Sequence, residues 1–273
     1  MTSSEKKQLD ARSQAIRTSV IRMMEAGGRG HLASALSVVE ILRVLYDDVL
    51  KIDPANPRWA ERDRLILSKG HGCMSLYAIL AEKGFFPNSE LDLFCKTEGV
   101  LGGPPEFPKV PGVEFSTGAL GHGLPVGIGM AINGKYEKSD HRVFVIIGDG
   151  ESNEGSVWEA ALSAAQHKLD NLVVLVDYNK QQSYGTTAEI VNLDPLGDKW
   201  KAFGFGVTEV DGHDVSELRQ VLAELPLIPG RPSVIVCHTI KGRGIDFVEG
   251  DLSWHHKSRI SDDEIRALLD GLE

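Results

Sequence analysis

Asp149 and Asn179 stand thirty positions apart, each at the tail of an apolar run: VFVIIGDG over 143–150 and LVVLVDYN over 172–179. A carboxylate and an amide carbonyl are hard oxygen donors of the kind that magnesium and calcium take. Gly148 and Gly150, on either side of the aspartate, let a bulky ligand approach the backbone closely. Magnesium usually completes its shell with substrate phosphates, so a metal here points to a diphosphate. Alone, Gly-Asp-Gly reads as a turn and the asparagine as a cap. The full strand–turn–helix–strand arrangement is more specific and favours a shared site.

Such a site needs elements that bring its ends together. About twenty-five residues separate the two runs, room for one crossover helix, so the strands should be parallel neighbours. Their carboxyl ends then share the sheet edge where open α/β sheets bind ligands. The helix from about Ser156 carries Ala160, Ala161, Ala164 and Ala165 and can pack close to the sheet. Buried strands are expected at 65–67, 143–147, 172–176 and 234–237. Helical patterns fill 5–25, 35–47, 74–83, 122–134, 156–168, 215–225 and 262–271. Short apolar strands separated by helices predict an α/β fold, a parallel sheet with helices on both faces. Asp214 and Glu217 have the spacing of a capping box before the 215–225 helix. There is no repeat and no Gly/Ser linker. GGPPEFPKVPG (102–112) reads as an ordered loop, so a single domain over 1–273 is expected.

The bulk numbers exclude more than they assign. A net charge of −10 over 273 residues argues against nucleic-acid binding, which would show a basic face. Three irregularly spaced cysteines, Cys73, Cys95 and Cys237, suit a reducing cytoplasm better than a disulfide framework. MTSSEKKQLDARSQAIRTSV at the amino end is charged, with no apolar signal core, and no run is long enough to span a membrane. A soluble cytoplasmic protein is expected.

The stretch GDGESNEG…NLVVLVDYNKQ resembles the thiamine diphosphate motif, which opens with Gly-Asp-Gly and closes with Asn. The resemblance implies Mg²⁺, with Ca²⁺ as a possible substitute, held by Asp149, Asn179 and the backbone carbonyl of Gln181. It places Gly150 against the diphosphate and makes Glu154 the glutamate that couples the two halves of the site. Four further stretches each resemble transketolase: GGRGHLASALS, RLILSKGHGCMSLYAIL, EFSTGALGHGLPVGIGMA and TIKGRGIDFVEGDLSWHHKS. They imply substrate-facing His31 and His71, with His71 also at the cofactor, and Gly118 and Leu120 against the aminopyrimidine. His255 falls near the diphosphate and the reacting carbons. The likeness runs from about residue 10 to 260 and implies the thiamine diphosphate-binding fold of the diphosphate domain. Imidazoles suit this chemistry because they hydrogen-bond hydroxyls and pass protons near neutral pH.

Other residues read more plainly. His141, His167 and His256 read as surface or capping residues, and His213 as a turn residue before the Asp214 cap. Cys73, Trp158 and Trp254 read as packing. The chain also departs from the family pattern. Pro104 stands where transketolases carry a histidine that contacts the donor sugar, and proline has neither side-chain donor nor N–H. His122 stands where the family commonly has glutamine and offers a partial substitute. WHHKS departs from the usual Trp-His-Gly-Lys. A donor other than xylulose 5-phosphate is therefore expected.

A full transketolase is more than twice this length and adds a pyrimidine-binding domain that supplies a glutamate to the cofactor. The resemblance thus implies the N-terminal subunit of a split transketolase, paired with a second chain as an α₂β₂ assembly. That assembly would move a two-carbon ketol unit from a ketose to an aldose. The alternatives are a catalytically silent cofactor-binding partner and a subunit of another thiamine diphosphate enzyme, either 1-deoxyxylulose-phosphate-synthase-like or of the decarboxylating E1 α-type.

Overall fold

The computed structural model describes residues 9–272, so positions 5–8 of the expected first helix lie outside the described residues. Five strands, β1 (Arg64–Leu67), β2 (Val143–Gly148), β3 (Leu172–Tyr178), β4 (Gly206–Asp211) and β5 (Ser233–His238), form one sheet. Its order is β1-β2-β3-β5-β4 and every pair is parallel. Helices α1 (Ala11–Gly27), α2 (Leu32–Leu36) and α3 (Val39–Val44) precede β1, and α4 (Cys73–Glu82) follows it. Helix α5 (Gly123–Glu137) leads into β2, and α6 (Gly155–Gln166) is the single crossover from β2 to β3. Helices α7 (Thr187–Ile190) and α8 (Leu196–Ala202) lie between β3 and β4. Helix α9 (Val215–Ala223) joins β4 to β5, and α10 (Asp262–Asp270) closes the described chain.

Side chains alternate across a strand, so each apolar strand feeds two cores. Val143, Val145 and Ile147 meet Leu124 and Ile128 of α5, Ala161 and Ala164 of α6 and Trp200 of α8. Phe144, Ile146, Val173 and Leu175 face the opposite way, into the core built from α1–α4, α9 and α10. Helices therefore cover both faces, as the unbroken apolar runs required. Close packing of α5 depends on a missing side chain: a Cβ at Gly127 would sit 2.5 Å from Val145 Cγ2.

Several local expectations are corrected. The 35–47 segment is not one helix: α2 stops at Leu36, α3 restarts at Val39, and a π-type turn follows over Leu45–Val49. β4 was hidden because it is an edge strand with polar Thr208, Glu209 and Asp211 among its six residues. Asp214 does cap α9, accepting from Ser216 N and Glu217 N, but Glu217 turns instead to Asp211 N at 3.1 Å. Reciprocal capping boxes occur at Thr186/Glu189 and Ser261/Glu264. His141 is buried, its Nδ1 on Ser139 Oγ at 2.7 Å. His213 is more than a turn residue: its Nε2 accepts from Ile240 N and its Nδ1 bonds Glu40. Trp158 and Trp254 pack as expected, against Trp200 and Phe247. Among the described residues no helix is long and apolar enough to cross a membrane.

Candidate active site

In the β2–β3 register Gly148 pairs with Asp177, so Asp149 and Asn179 leave neighbouring strands at one edge. Asp149 N donates to Asp177 O at 3.2 Å, extending the ladder by one bond. The Asp149 carboxylate is 2% exposed and accepts from Gly150 N at 2.7 Å and from Lys180 N at 2.5 Å. Lys180 adopts a left-handed φ of 65°, within the turn that directs its N–H at the carboxylate. Asn179 donates through Nδ2 to Asp177 Oδ2 at 3.0 Å, and its Oδ1 accepts from Gln181 N at 3.1 Å. Asp177 thus holds the amide by its nitrogen end and leaves the oxygen as the donor atom.

One cavity of about 400 Å³ lies over this edge. All ten residues singled out from the sequence line it: His31, His71, Gly118, Leu120, Asp149, Gly150, Glu154, Asn179, Gln181 and His255. A second cavity of about 250 Å³ shares His31, His71 and Gly118 with it.

The three imidazoles form a cluster. Ring centroids are 5.4 Å apart for His31–His71 and His31–His255, and 5.8 Å for His71–His255. His31 Nδ1 lies 2.8 Å from His255 O, and a carbonyl only accepts, so Nδ1 carries the proton. With the ring neutral, Nε2 of His31 is left as a base. Burial, then the charge of Lys69, holds His71 well below its usual value, and burial also lowers His31. Burial, followed by the charge of Lys241, pushes His255 down to about 3. His255 binds Ser183 Oγ through Nε2 at 2.9 Å.

A pH dependence follows with a definite sign. His255 is neutral in the folded chain but takes a proton near pH 6.5 when unfolded, so its contribution is present above that value and drains away toward pH 3. Urea unfolding at pH 7.5 and 5 should show the wild type losing more stability on acidification than His255→Asn. Equal losses would remove His255 from that account.

The charges of the cavity are incomplete in two complementary ways. Burial, then the charge of Asp177, pushes the Asp149 carboxyl up to about 7. Lys241 is also buried, and burial, then the charge of Lys69, brings it down to about 8. Its Nζ donates to Gln181 O at 3.1 Å and, among the described residues, pairs with no carboxylate. A cation at Asp149 and an anion near Lys241 would relieve both. Gln181 Oε1, Gln182 Nε2 and His255 Nδ1 are buried polar atoms without partners, on residues lining the same cavity. No cluster of three His, Cys, Asp or Glu suits a metal among the described residues. The donor set is instead one carboxylate with an amide and a backbone oxygen, which fits a magnesium ion finished by phosphate oxygens.

The profile of the family described as transketolase, thiamine diphosphate binding domain, matches residues 9–272. The chain belongs to the transketolase family. It is 41% identical over 268 residues to the SqwG subunit of 6-deoxy-6-sulfo-D-fructose transketolase from Clostridium sp. (strain MSTE9), covering 97% of both chains. It is 45% identical over 269 residues to one of the subunits of apulose-4-phosphate transketolase from Actinobacillus succinogenes, covering 97% of this chain and 96% of that one. The crystal structure of transketolase from Campylobacter jejuni matches with a TM-score of 0.88 at 29% identity, over 95% of this chain. The chain spans only 42% of that enzyme. It is thus the thiamine diphosphate-binding part of a transketolase and a component of a thiamine diphosphate-dependent transferase.

Within this transketolase site the structure adds residues that motif reading passed over. Lys69 and Asp177 are both fully buried and form an ion pair, with Lys69 lining the cavity. Asp177 also accepts from Ser37 Oγ at 2.8 Å and from Thr239 Oγ1. Burial would raise its carboxyl, but the charge and hydrogen bond of Lys69 outweigh that and hold it below its usual value. Glu151 accepts from Ser68 Oγ, from Gly121 N at 2.8 Å and from Gly148 N at 3.1 Å. It ties the end of β1 and the Gly121 loop to the end of β2. One signal could have found the ion pair: an aspartate inside a strand buried on both faces needs a cation. Two expectations about the donor end also change. His122 is exposed, bonds Leu120 O at 3.0 Å and lines neither cavity, so it does not substitute for Pro104. His256 is exposed as expected, but its ring centroid lies 4.8 Å from that of His31 and it lines the second cavity.

Proposed function

We propose that this chain is the diphosphate-binding subunit of a split transketolase, a single domain that works with a second chain carrying the pyrimidine-binding domain, in an α₂β₂ assembly. The reaction is transfer of a two-carbon ketol unit from a ketose donor to an aldose acceptor. The observation that carries this reading is the meeting of Asp149, Asn179, Gln181 and three neutral imidazoles around one cavity. Free thiols at Cys73, Cys95 and Cys237 fit a reducing cytoplasm.

Asp149, Asn179 Oδ1 and the Gln181 carbonyl would hold Mg²⁺, and Lys241 would neutralise diphosphate oxygens. Gly118 and Leu120 would border the aminopyrimidine, Gly150 would admit the diphosphate, and Glu154 would meet the partner half of the site. Bound thiamine diphosphate supplies a carbon nucleophile and electron sink for breaking and remaking the bond beside the ketose carbonyl. His31 takes and returns a hydroxyl proton at Nε2, because its Nδ1–H is committed to His255 O. His71, kept neutral by burial and the charge of Lys69, hydrogen-bonds donor hydroxyls, and His255 assists from the Ser183 side.

Pro104 offers no donor, so the preferred ketose differs from xylulose 5-phosphate. The sugars named for the two relatives, 6-deoxy-6-sulfofructose and apulose 4-phosphate, both bear an anionic group and are the first to test. The test combines both chains with thiamine diphosphate, Mg²⁺ and a panel of ketoses and aldoses, and follows the new ketose by chromatography. Ketol transfer is the expected result. Cofactor binding without transfer from any donor would favour a silent partner, and decarboxylation of a 2-oxo acid an E1 α-type chain; either defeats the reading.

A further inference from the structure

The second cavity shares His31, His71 and Gly118 with the cofactor cavity, so it lies directly beside it. A sugar held among the imidazoles would have this cavity next to it. Much of its wall cannot bind a hydroxyl strongly. Met74, Phe94 and Pro104 offer no side-chain donor, and the Pro104 carbonyl already accepts from Tyr77 Oη at 3.0 Å. Cys73 turns its thiol to Gly103 O. Apart from the imidazoles shared with the cofactor cavity, the strongly polar side chains on this wall are His256 and Arg29.

Their position is set by backbone. Gly30 N donates to Lys257 O and Lys257 N to Gly30 O, both at 2.9 Å, an antiparallel bridge that binds the 29–31 segment to 255–257. The His31 bond to His255 O at 2.8 Å reinforces the same clamp. The His256 ring is tilted 52° to that of His31, and neither of its nitrogens has a partner among the described residues. Arg29 likewise makes no ion pair or hydrogen bond among the described residues. A guanidinium and an imidazole, neither with a partner among the described residues, thus face a cavity that His31 and His71 also line.

We propose that this cavity is the distal sugar subsite, in which His256 hydrogen-bonds a substrate hydroxyl and Arg29 pairs with a terminal oxyanion, a phosphate or sulfonate. The proposal rests on the ketol-transfer reading. It assigns to this chain the role that proline at 104 gives up: the lost imidazole is replaced from a different element, at the same cavity. Arginine suits such an oxyanion because its planar fork can donate two bonds at once.

Binding is measured without turnover. D-arabinitol, D-arabinitol 5-phosphate and the matching 5-sulfonate lack a carbonyl and cannot react, so calorimetry on the cofactor-loaded assembly reads affinity alone. The wild type should bind the phosphate, the sulfonate or both at least ~10-fold more tightly than the neutral polyol, as charge-assisted pairing requires; which of the two leads identifies the anion. Arg29→Met should bring that ratio near one without weakening the neutral polyol. His256→Gly should weaken every probe about tenfold, while His256→Gln, which can still donate and accept, stays within about threefold of wild type. With reacting ketoses His256→Gly should raise KM and leave kcat nearly unchanged. Wild-type protein that binds no probe or shows no preference for an anion overturns the subsite, as do unchanged affinities in His256→Gly or Arg29→Met. Thermal melts of each variant exclude misfolding. If the binding differences hold but no donor supports transfer, the ketol-transfer reading fails and the subsite stands. If transfer proceeds with unaltered affinities, the reverse is true.

Discussion

Asp149→Asn will abolish Mg²⁺-dependent thiamine diphosphate binding, with affinity falling at least ~100-fold, because a carboxylate ligand contributes more than the outer groups whose loss costs 10–100-fold. Asp149 is the one carboxylate in the proposed donor set, and both its oxygens are already oriented by Gly150 N and Lys180 N. Asparagine keeps the shape and can still accept from one of those groups. It also removes a buried negative charge beside Asp177, so the metal-free melting temperature should change little. That contrast separates a ligand from a mere structural residue. The wild type adds a pH signature. The Asp149 carboxyl, at about 7 without metal, must lose its proton before it can bind, so cofactor affinity should strengthen as pH rises from 6 to 8. The variant should lose this Asp149-linked part of the slope. Titration of the two-chain assembly with cofactor, with and without Mg²⁺ at both pH values, reads all three effects. Unchanged Mg²⁺-dependent affinity in the variant would falsify the metal assignment.

Lys69→Met should produce the largest loss of stability. Both partners of its ion pair are fully buried, and removing one leaves Asp177 as an uncompensated charge. Breaking such a pair costs about 3–5 kcal/mol, a fall of roughly 6–20 °C in Tm for a chain of this class. Ser37, Thr239 and Asn179 still donate to Asp177, but none carries a charge. With its cation gone the Asp177 carboxyl moves above its usual value. A raised carboxyl favours the folded state at low pH, so the deficit should be greatest near neutrality and shrink on acidification. The double variant Lys69→Met/Asp177→Asn should recover part of the loss, because no buried charge remains. Differential scanning calorimetry at pH 7.5 and 5 tests both statements. A double variant as unstable as the single one at every pH would mean that lost packing, not the stranded charge, sets the cost.

The parts legible in the sequence share a physical property: they are local or periodic. The runs at 143–147 and 172–176 announce strands because apolar side chains on both faces of a strand require covering helices. One crossover helix between them forces Asp149 and Asn179 to one edge. By contrast β4 escaped notice because an edge strand keeps polar side chains, and its alternation carries little apolar signal. The 35–47 stretch has a continuous helical pattern, yet α2 and α3 separate at Ser37 and Val38. There Ser37 Oγ reaches Asp177, a contact made across 140 positions. No window of local sequence contains that bond.

The sequence by itself determined the α/β architecture and the meeting of Asp149 with Asn179, because residue spacing and side-chain period constrain what can be adjacent; the other residues around the cavity were legible only through the likeness of their motifs to transketolase. Only the tertiary structure decided how that cavity is charged and how far it extends. Lys69 finds Asp177, Lys241 faces Gln181 without a carboxylate, and His256 comes to lie against His31 through the Gly30–Lys257 bridge. Each depends on long-range contacts, and burial, which no local window reveals, lowers the proton affinities of Lys241 and His31. The departure at Pro104 was visible in the chain, but that His256 lines the same cavity became visible only in the tertiary structure.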